Sequence, residues 1–219
     1  MRRQIQTMTE QIYHAIRADI FAQRLHFGEK ITTKALQERL GVSSTPIREA
    51  LARLEKDGLI VVQPNTGMRV VSYTEKDVSD IYTLMTELDA VALRLACAGP
   101  KRSHLVDALR TLQEEAVLPL MQGDAERWEE LSDTFHLLFY QWAGNPYLSD
   151  AASKTRSQLT VFSYAYQQSA ACQEDIQRQH DTILHCLENG DDAAAEEALR
   201  RHFASSLKKA LDILHAAQA

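Results

Sequence analysis

Residues 41–60 read GVSSTPIREALARLEKDGLI. Gly41, Val42 and Ser43 make a turn, and Ser43, Ser44 and Thr45 supply hydroxyls of the kind that cap a helix N-terminus. Pro46 falls in the first helical turn, where its missing N–H costs little. Ile47, Ala50, Leu51 and Leu54 then recur at helical spacing as a buried stripe, and Gly58 marks the end. Arg48 lies off that stripe, one turn in. A helix that opens on hydroxyls and carries an outward arginine offers an anion both a positive end and a cation.

Upstream, Ile12, Ile16, Ile20 and Phe21 predict a helix over residues 9–25, closed by Gly28. Thr32 or Thr33 caps a short second helix carrying Leu36 and Leu40, which stops at Gly41. Downstream, two β-rich runs, 59–63 and 68–72, flank Pro64-Asn65-Thr66-Gly67 and predict a hairpin. Three helices with a tight turn before the third, then a hairpin, predict a winged helix-turn-helix over residues 1–73. In that geometry the third helix enters the major groove N-terminus first. Ser43, Ser44, Thr45 and Arg48 then face phosphates and base edges, while Lys34 holds the backbone. Asn65, Thr66 and Gly67 at the hairpin tip lie along the minor groove, and Arg53 reads as a solvated or ion-paired residue.

Beyond residue 73 the strand signal stops. Thr74 with Asp77 opens a helix that runs to about Cys97. Gly99-Pro100, Gln122-Gly123, Gly144-Asn145-Pro146, Ser169–Cys172 and Asn189-Gly190 divide the remainder. The expectation is about six helices in an antiparallel all-helical bundle over residues 74–219, so the fold class is mainly α.

Charge divides at the same place. Residues 1–72 hold 11 Lys and Arg against 7 Asp and Glu, whereas the whole chain has 24 against 30. A basic head on an acidic remainder predicts that only the head meets a polyanion, here double-stranded DNA. No apolar run reaches membrane length, since LDAVALRLACAG (88–99) is interrupted by Arg94. Three widely spaced cysteines without a CxxC pair fit reduced thiols. A cytoplasmic protein with no membrane partner is expected.

Three histidines stand out in the acidic part. His136, His180 and His202 fall on three different predicted helices, and residue 191, in the turn Asn189-Gly190-Asp191, is midway between the last two. Residues equidistant from the turn of an antiparallel pair lie at one height. His180 belongs to the stripe Ile176, Ile183, Leu184, Leu187; His202 neighbours Leu199 and Phe203, and His136 neighbours Phe135 and Phe139. Imidazoles converging in a bundle interior suit a divalent metal ion, Zn or Ni. His14, His26, His104, His185 and His215 read as ordinary surface or core residues. A hydrolytic metal centre would need a general base, and no glutamate is placed for one, so an enzyme is not expected.

The run from Gly28 through ITTKALQERLGVSSTPIREALARLEKDGLI to Gly67 resembles the winged helix of the GntR superfamily of bacterial transcription regulators. The helical remainder resembles the effector-binding FCD domain of the FadR-type branch, in its shorter, six-helix VanR-like form. The resemblance implies a repressor that binds an inverted repeat as a homodimer and answers to a small-molecule effector. It carries DNA contacts onto Lys34, Ser43, Ser44, Thr45, Arg48 and Gly67. It also implies a divalent metal on the three histidines and a carboxylate effector. Three positions depart from the pattern. Relatives place arginine at Ser44, a carboxylate ligand at Ser132, and an effector-binding arginine at Met85. Asp133 is then expected to stand in for the missing ligand, and Arg94 and Arg156 for the missing arginine. The alternative reading is a constitutive repressor whose helical part only dimerises. No single apolar stripe marks the dimer interface in the sequence.

Overall fold

The computed structural model of the chain describes residues 7–63 and 67–218, with side chains to 216. Asn65 and Thr66, expected at the hairpin tip, lie outside the described residues. The chain divides into two compact units: Met1–Thr74 with Ser153–Val161, and Glu75–Ala152 with Phe162–Ala219.

In the first unit, α1 (Met8–Phe21) opens on a capping box in which Thr7 and Glu10 satisfy each other's backbone N–H. It ends four residues earlier than its spacing predicts. Gln23 takes a positive φ of 52°, and the N–H groups of Arg24 and Leu25 both turn back to the Asp19 carbonyl. α2 (Thr33–Leu40) is capped by Thr32, whose hydroxyl accepts from the Ala35 N–H at 3.2 Å. It stops at Gly41 with φ 67°, a left-handed cap that strains any residue with a side chain. α3 (Ser44–Lys56) buries Ile47, Ala50, Leu51 and Leu54 against α1, where Ile16 and Ile20 are sealed. Each such side chain contributes about 1.5–3 kcal/mol by leaving water.

The expected hairpin forms as β2 (Ile60–Gln63) and β3 (Gly67–Val70), but a third strand, β1 (Lys30–Ile31), pairs with the far edge of β3. Two residues show no alternation, so β1 left no period to read. Its function is geometric: Ile31 is buried, and the next residue, Thr32, is already the cap of α2.

The second unit is helical throughout its described residues. It contains α4 (Glu75–Ala98), α5 (Arg102–Gln122), α6 (Ala125–Ala143), both ends of α7 (Pro146–Gln167), α8 (Ala170–Glu188) and α9 (Asp192–Gln218). Four of the five breaks between these helices fall where glycine, proline or asparagine interrupts the pattern, and the fifth falls at Gln168-Ser169; Gly123 and Gly144 are left-handed helix caps. α4 packs on α6 and α9, α5 on α6 and α8, and α8 on α9. Trp128, Phe135, Phe139, Ile183, Leu187 and Leu199 fill the space between them. No helix among the described residues is long and apolar enough to cross a membrane.

Candidate functional site

The N-terminus of α3 is a cap whose hydroxyl the helix itself does not use. Ser43 has the extended backbone of an N-cap residue (φ −69°, ψ 164°), yet its side chain accepts no capping hydrogen bond. Thr7 and Thr32, at the two preceding helices, both do. Ser43, Thr45 and Arg48 are exposed, and Ser44 is half-buried. Arg48 has no ion pair among the described residues. The orphan N–H groups of the first turn and an unengaged guanidinium therefore point the same way as the helix dipole.

The neighbouring cations divide by engagement. Arg53 lies 4.0 Å over the Tyr13 ring, Arg69 donates to the Gly28 carbonyl, and Arg39 pairs with Asp19. These three are engaged within the protein; Arg53, expected to be solvated or ion-paired, instead stacks on Tyr13. Lys34 is exposed and only loosely paired with Glu38 at 3.9 Å. Gly67 opens β3, and the nearest atom to a side chain built there would be Lys30 Cε at 3.7 Å. Lys30 is thus an exposed cation beside the wing that the sequence reading missed. A signal for it exists: it sits across the sheet from Arg69, and like charges in register rarely serve packing.

The second candidate lies inside the bundle. His136 on α6, His180 on α8 and His202 on α9 form a near-equilateral triangle, with ring centroids 5.0, 5.1 and 4.8 Å apart. One nitrogen from each lies within 4.8 Å of the others, and all three residues are buried. Phe135 stacks on His180 at 4.1 Å and nearly parallel, closing one side to water.

Hydrogen bonds set the tautomers. His136 Nδ1 is 2.7 Å from Asp89 Oδ2, whose carboxylate accepts, so the ring holds its proton there and leaves Nε2 a lone pair. His202 Nδ1 is 2.8 Å from the amide oxygen of Gln179, with the same consequence. His180 Nε2 is buried with no hydrogen-bond partner. Desolvation first, and the neighbouring histidines second, hold His180 well below the usual imidazole range. His202 is depressed too, by burial and then by His136 and Lys209. A neutral imidazole with a free lone pair is the state that ligates a metal. An orphaned buried nitrogen is costly without one. The donor set fits a divalent ion.

The acid beside the histidines is not the one expected. Asp133, the expected stand-in ligand, does not join the histidine group; Asp89 does. Asp89 is fully buried on α4 and also accepts from Tyr140 Oη at 2.6 Å. It supports a ligand rather than being one, because its oxygen is already bonded to the histidine's outer nitrogen. Its signal in the sequence is an acid on the apolar stripe Val78, Tyr82, Met85, Leu93 of α4, where a charge must be paired. Arg94, expected near an effector, is exposed and held outward by Glu196 at 2.7 Å. Arg156 is half-buried in Ser153–Val161, which groups with the first unit rather than with the histidines. Met85 and Ser132 are both buried, each one helical turn before a residue of the Asp89–His136 pair.

Gln179 was also missed. It is anchored by a chain in which Lys209 pairs with Asp175 at 2.9 Å and Gln179 Nε2 donates to Asp175 at 2.8 Å. A groove of about 150 Å³ lined by Gln179, Thr182, Ala198, Arg201 and His202 reaches the histidine from the outside.

Comparison with known proteins agrees with both halves. Residues 8–70 match the family described as bacterial regulatory proteins, gntR family, and residues 80–205 match the FCD domain. The chain is 30% identical over 203 residues to a probable D-xylose utilization operon transcriptional repressor of Paenarthrobacter nicotinovorans, covering 92% of this chain and 88% of that one. It is 28% identical over 197 residues to the HTH-type transcriptional regulator YdhC of Bacillus subtilis, covering 88% and 86%. Among solved structures it resembles E. coli McbR/YncC, with a TM-score of 0.69, 23% identity and coverage of 98% and 100%. That last likeness speaks for the fold. These relatives are regulators of transcription, not enzymes.

Proposed function

The chain belongs to the gntR family of bacterial regulatory proteins and carries an FCD domain, and from that premise we propose a metal-assisted, ligand-responsive repressor that binds an inverted-repeat operator as a homodimer. The observation that carries the DNA half is the open N-terminus of α3, where Ser43, Thr45 and Arg48 are exposed and unengaged. Ser43, Ser44 and Thr45 hold phosphate oxygens through hydroxyls and backbone N–H groups. Arg48 reads a base edge or clamps a phosphate, and Lys34, Lys30 and the Gly67 wing fix register on the backbone. With serine at position 44 the phosphate contribution is smaller than an arginine would give.

In the helical domain, His136, His180 and His202 would hold a divalent ion, zinc or nickel, which when bound offers an oxygen-bearing effector a Lewis-acidic anchor. Asp89 keeps the His136 proton on Nδ1, Gln179 does the same for His202, and Phe135 excludes water beside His180. The effector is a small acid by family resemblance. Its binding alters DNA affinity only as far as it prefers one arrangement of the paired heads.

The test selects duplexes from a random pool with the wild-type chain and measures affinity by fluorescence anisotropy. An inverted-repeat ligand lost in Arg48→Ala, with unchanged circular dichroism, is the expected result. Equal affinity of Arg48→Ala would remove the assignment. Chelation should leave DNA binding in place and abolish any response to small acids. DNA binding that no acid alters, with or without metal, would instead favour the constitutive reading, in which Met85 and Ser132 have cost the domain its effector.

A further inference from the structure

On one face of α4 the described residues leave large apolar side chains exposed. The helix buries Val78, Tyr82, Met85, Asp89, Leu93 and Ala96 in its own bundle. On another face stand Ile81, Leu84, Leu88, Val91, Leu95 and Ala98, spaced 3, 4, 3, 4 and 3 residues apart. Leu84 is 51% and Leu95 41% exposed, and Ile81, Leu88 and Val91 are half-buried. That spacing is the seam of a two-helix coiled coil, about 26 Å long at about 1.5 Å per residue. A helix apolar on two faces is one that is covered on both. The other exposed apolar cluster, Val117, Leu118 and Met121, occupies a single turn at the end of α5 and repeats nowhere along it.

We propose that this seam is the homodimer interface, filled by the α4 of a second copy running antiparallel about a two-fold axis near residues 89–90. The proposal rests on the dimeric reading above and names its surface. Two observations select a second copy as the occupant. The seam is self-complementary: read backwards it has the same spacing, so Leu84 meets the copy's Leu95 and Leu88 meets its Val91. Charge along the helix is also polarised. Within α4, residues 75–87 carry Glu75, Asp77, Asp80 and Glu87 against Lys76 alone, whereas residues 91–98 carry Arg94 and no acid. An antiparallel copy keeps the two acidic halves apart; a parallel copy sets them side by side.

Sedimentation equilibrium tests it. The wild-type chain should weigh about twice 24.7 kDa, and L84E/L95E should fall to a single chain, its dissociation constant raised at least ~100-fold. L84K/L95E should recover the dimer, because the antiparallel register places each introduced lysine against the other chain's glutamate. A dimeric L84E/L95E would move the interface elsewhere and overturn the proposal while sparing the dimeric reading. A monomeric wild type would overturn both. Should L84E/L95E not fold, mild oxidation of L84C/L95C decides, with wild type as the control for native cysteines. An interchain disulfide that L84C alone does not form is expected. No disulfide, or one in L84C alone, contradicts the antiparallel seam.

Discussion

The head of α3 and the interior of the α4–α9 bundle handle polar atoms in opposite ways. At α3, Ser43 and Arg48 are left unengaged in water, with the helix built so that nothing inside the protein uses them. In the bundle, Asp89, His136, His180 and His202 are withdrawn from water; Asp89 bonds His136, Gln179 bonds His202, and His180 keeps a buried nitrogen without a partner. Unengaged groups at a surface cost little because water satisfies them until a ligand comes. A buried unengaged nitrogen has no such substitute, and His180, which carries it, offers a nitrogen within 4.8 Å of two further imidazoles that could share a metal.

The largest test of that contrast is Asp89→Asn. It keeps the shape at His136 but weakens the hold on the Nδ1 proton, and metal affinity should fall about 10- to 100-fold by competition titration. DNA affinity should not change. Unaltered metal affinity would show that Asp89 is only a satisfied core acid. The corresponding change at the surface is Arg48→Ala, with an expected loss of about 1–3 kcal/mol of operator binding by anisotropy and no loss of melting temperature.

Burial-shifted groups give both regions a dependence on pH. Tyr13, buried against Asp57 at 2.7 Å, is pushed up to about 12. The folded head therefore keeps a proton that the unfolded chain loses near pH 10, so its stability should fall as pH rises between about 10 and 12. In chelator-treated protein, His180 and His202 stay neutral when the unfolded chain would be protonated. Bundle stability should then fall as pH drops below about 6.5, by at most about 1.4 kcal/mol per pH unit for each histidine. Acid and alkaline melts followed by circular dichroism check both; an acid-insensitive bundle would mean the rings are protonated when folded.

The smallest effect separates caps from contacts. Thr32→Ala should cost about 1 kcal/mol in urea denaturation, since its hydroxyl caps α2. Ser43→Ala should cost less than about 0.5 kcal/mol yet weaken operator binding severalfold. A full capping penalty at Ser43 would return that serine to an ordinary structural role.

The same contrast explains what could be read from the sequence. The three helices of the head follow from local signals within a few residues of each other. So do the six bundle helices, whose breaks carry glycine, proline or asparagine except at Gln168-Ser169. The meeting of His180 and His202 also follows, because the turn at 189–191 fixes their common height. Asp89 does not, because its partner lies 47 residues away on a helix that only packing brings near. β1 is too short to show a period, and the stripe Ile81–Ala98 is masked by the buried stripe on the same helix. Asp133 stands close to His136 in sequence, and nearness along a helix does not aim a side chain inward.

The most direct test of the central claim is the metal content of untagged protein purified without chelator, beside His180→Ala. About one equivalent of zinc or nickel per chain, lost in the variant while both proteins keep the same circular dichroism, is the predicted result. No metal in the wild type even after incubation with either ion, or equal metal in His180→Ala, would contradict it and make the three histidines polar lining of the core.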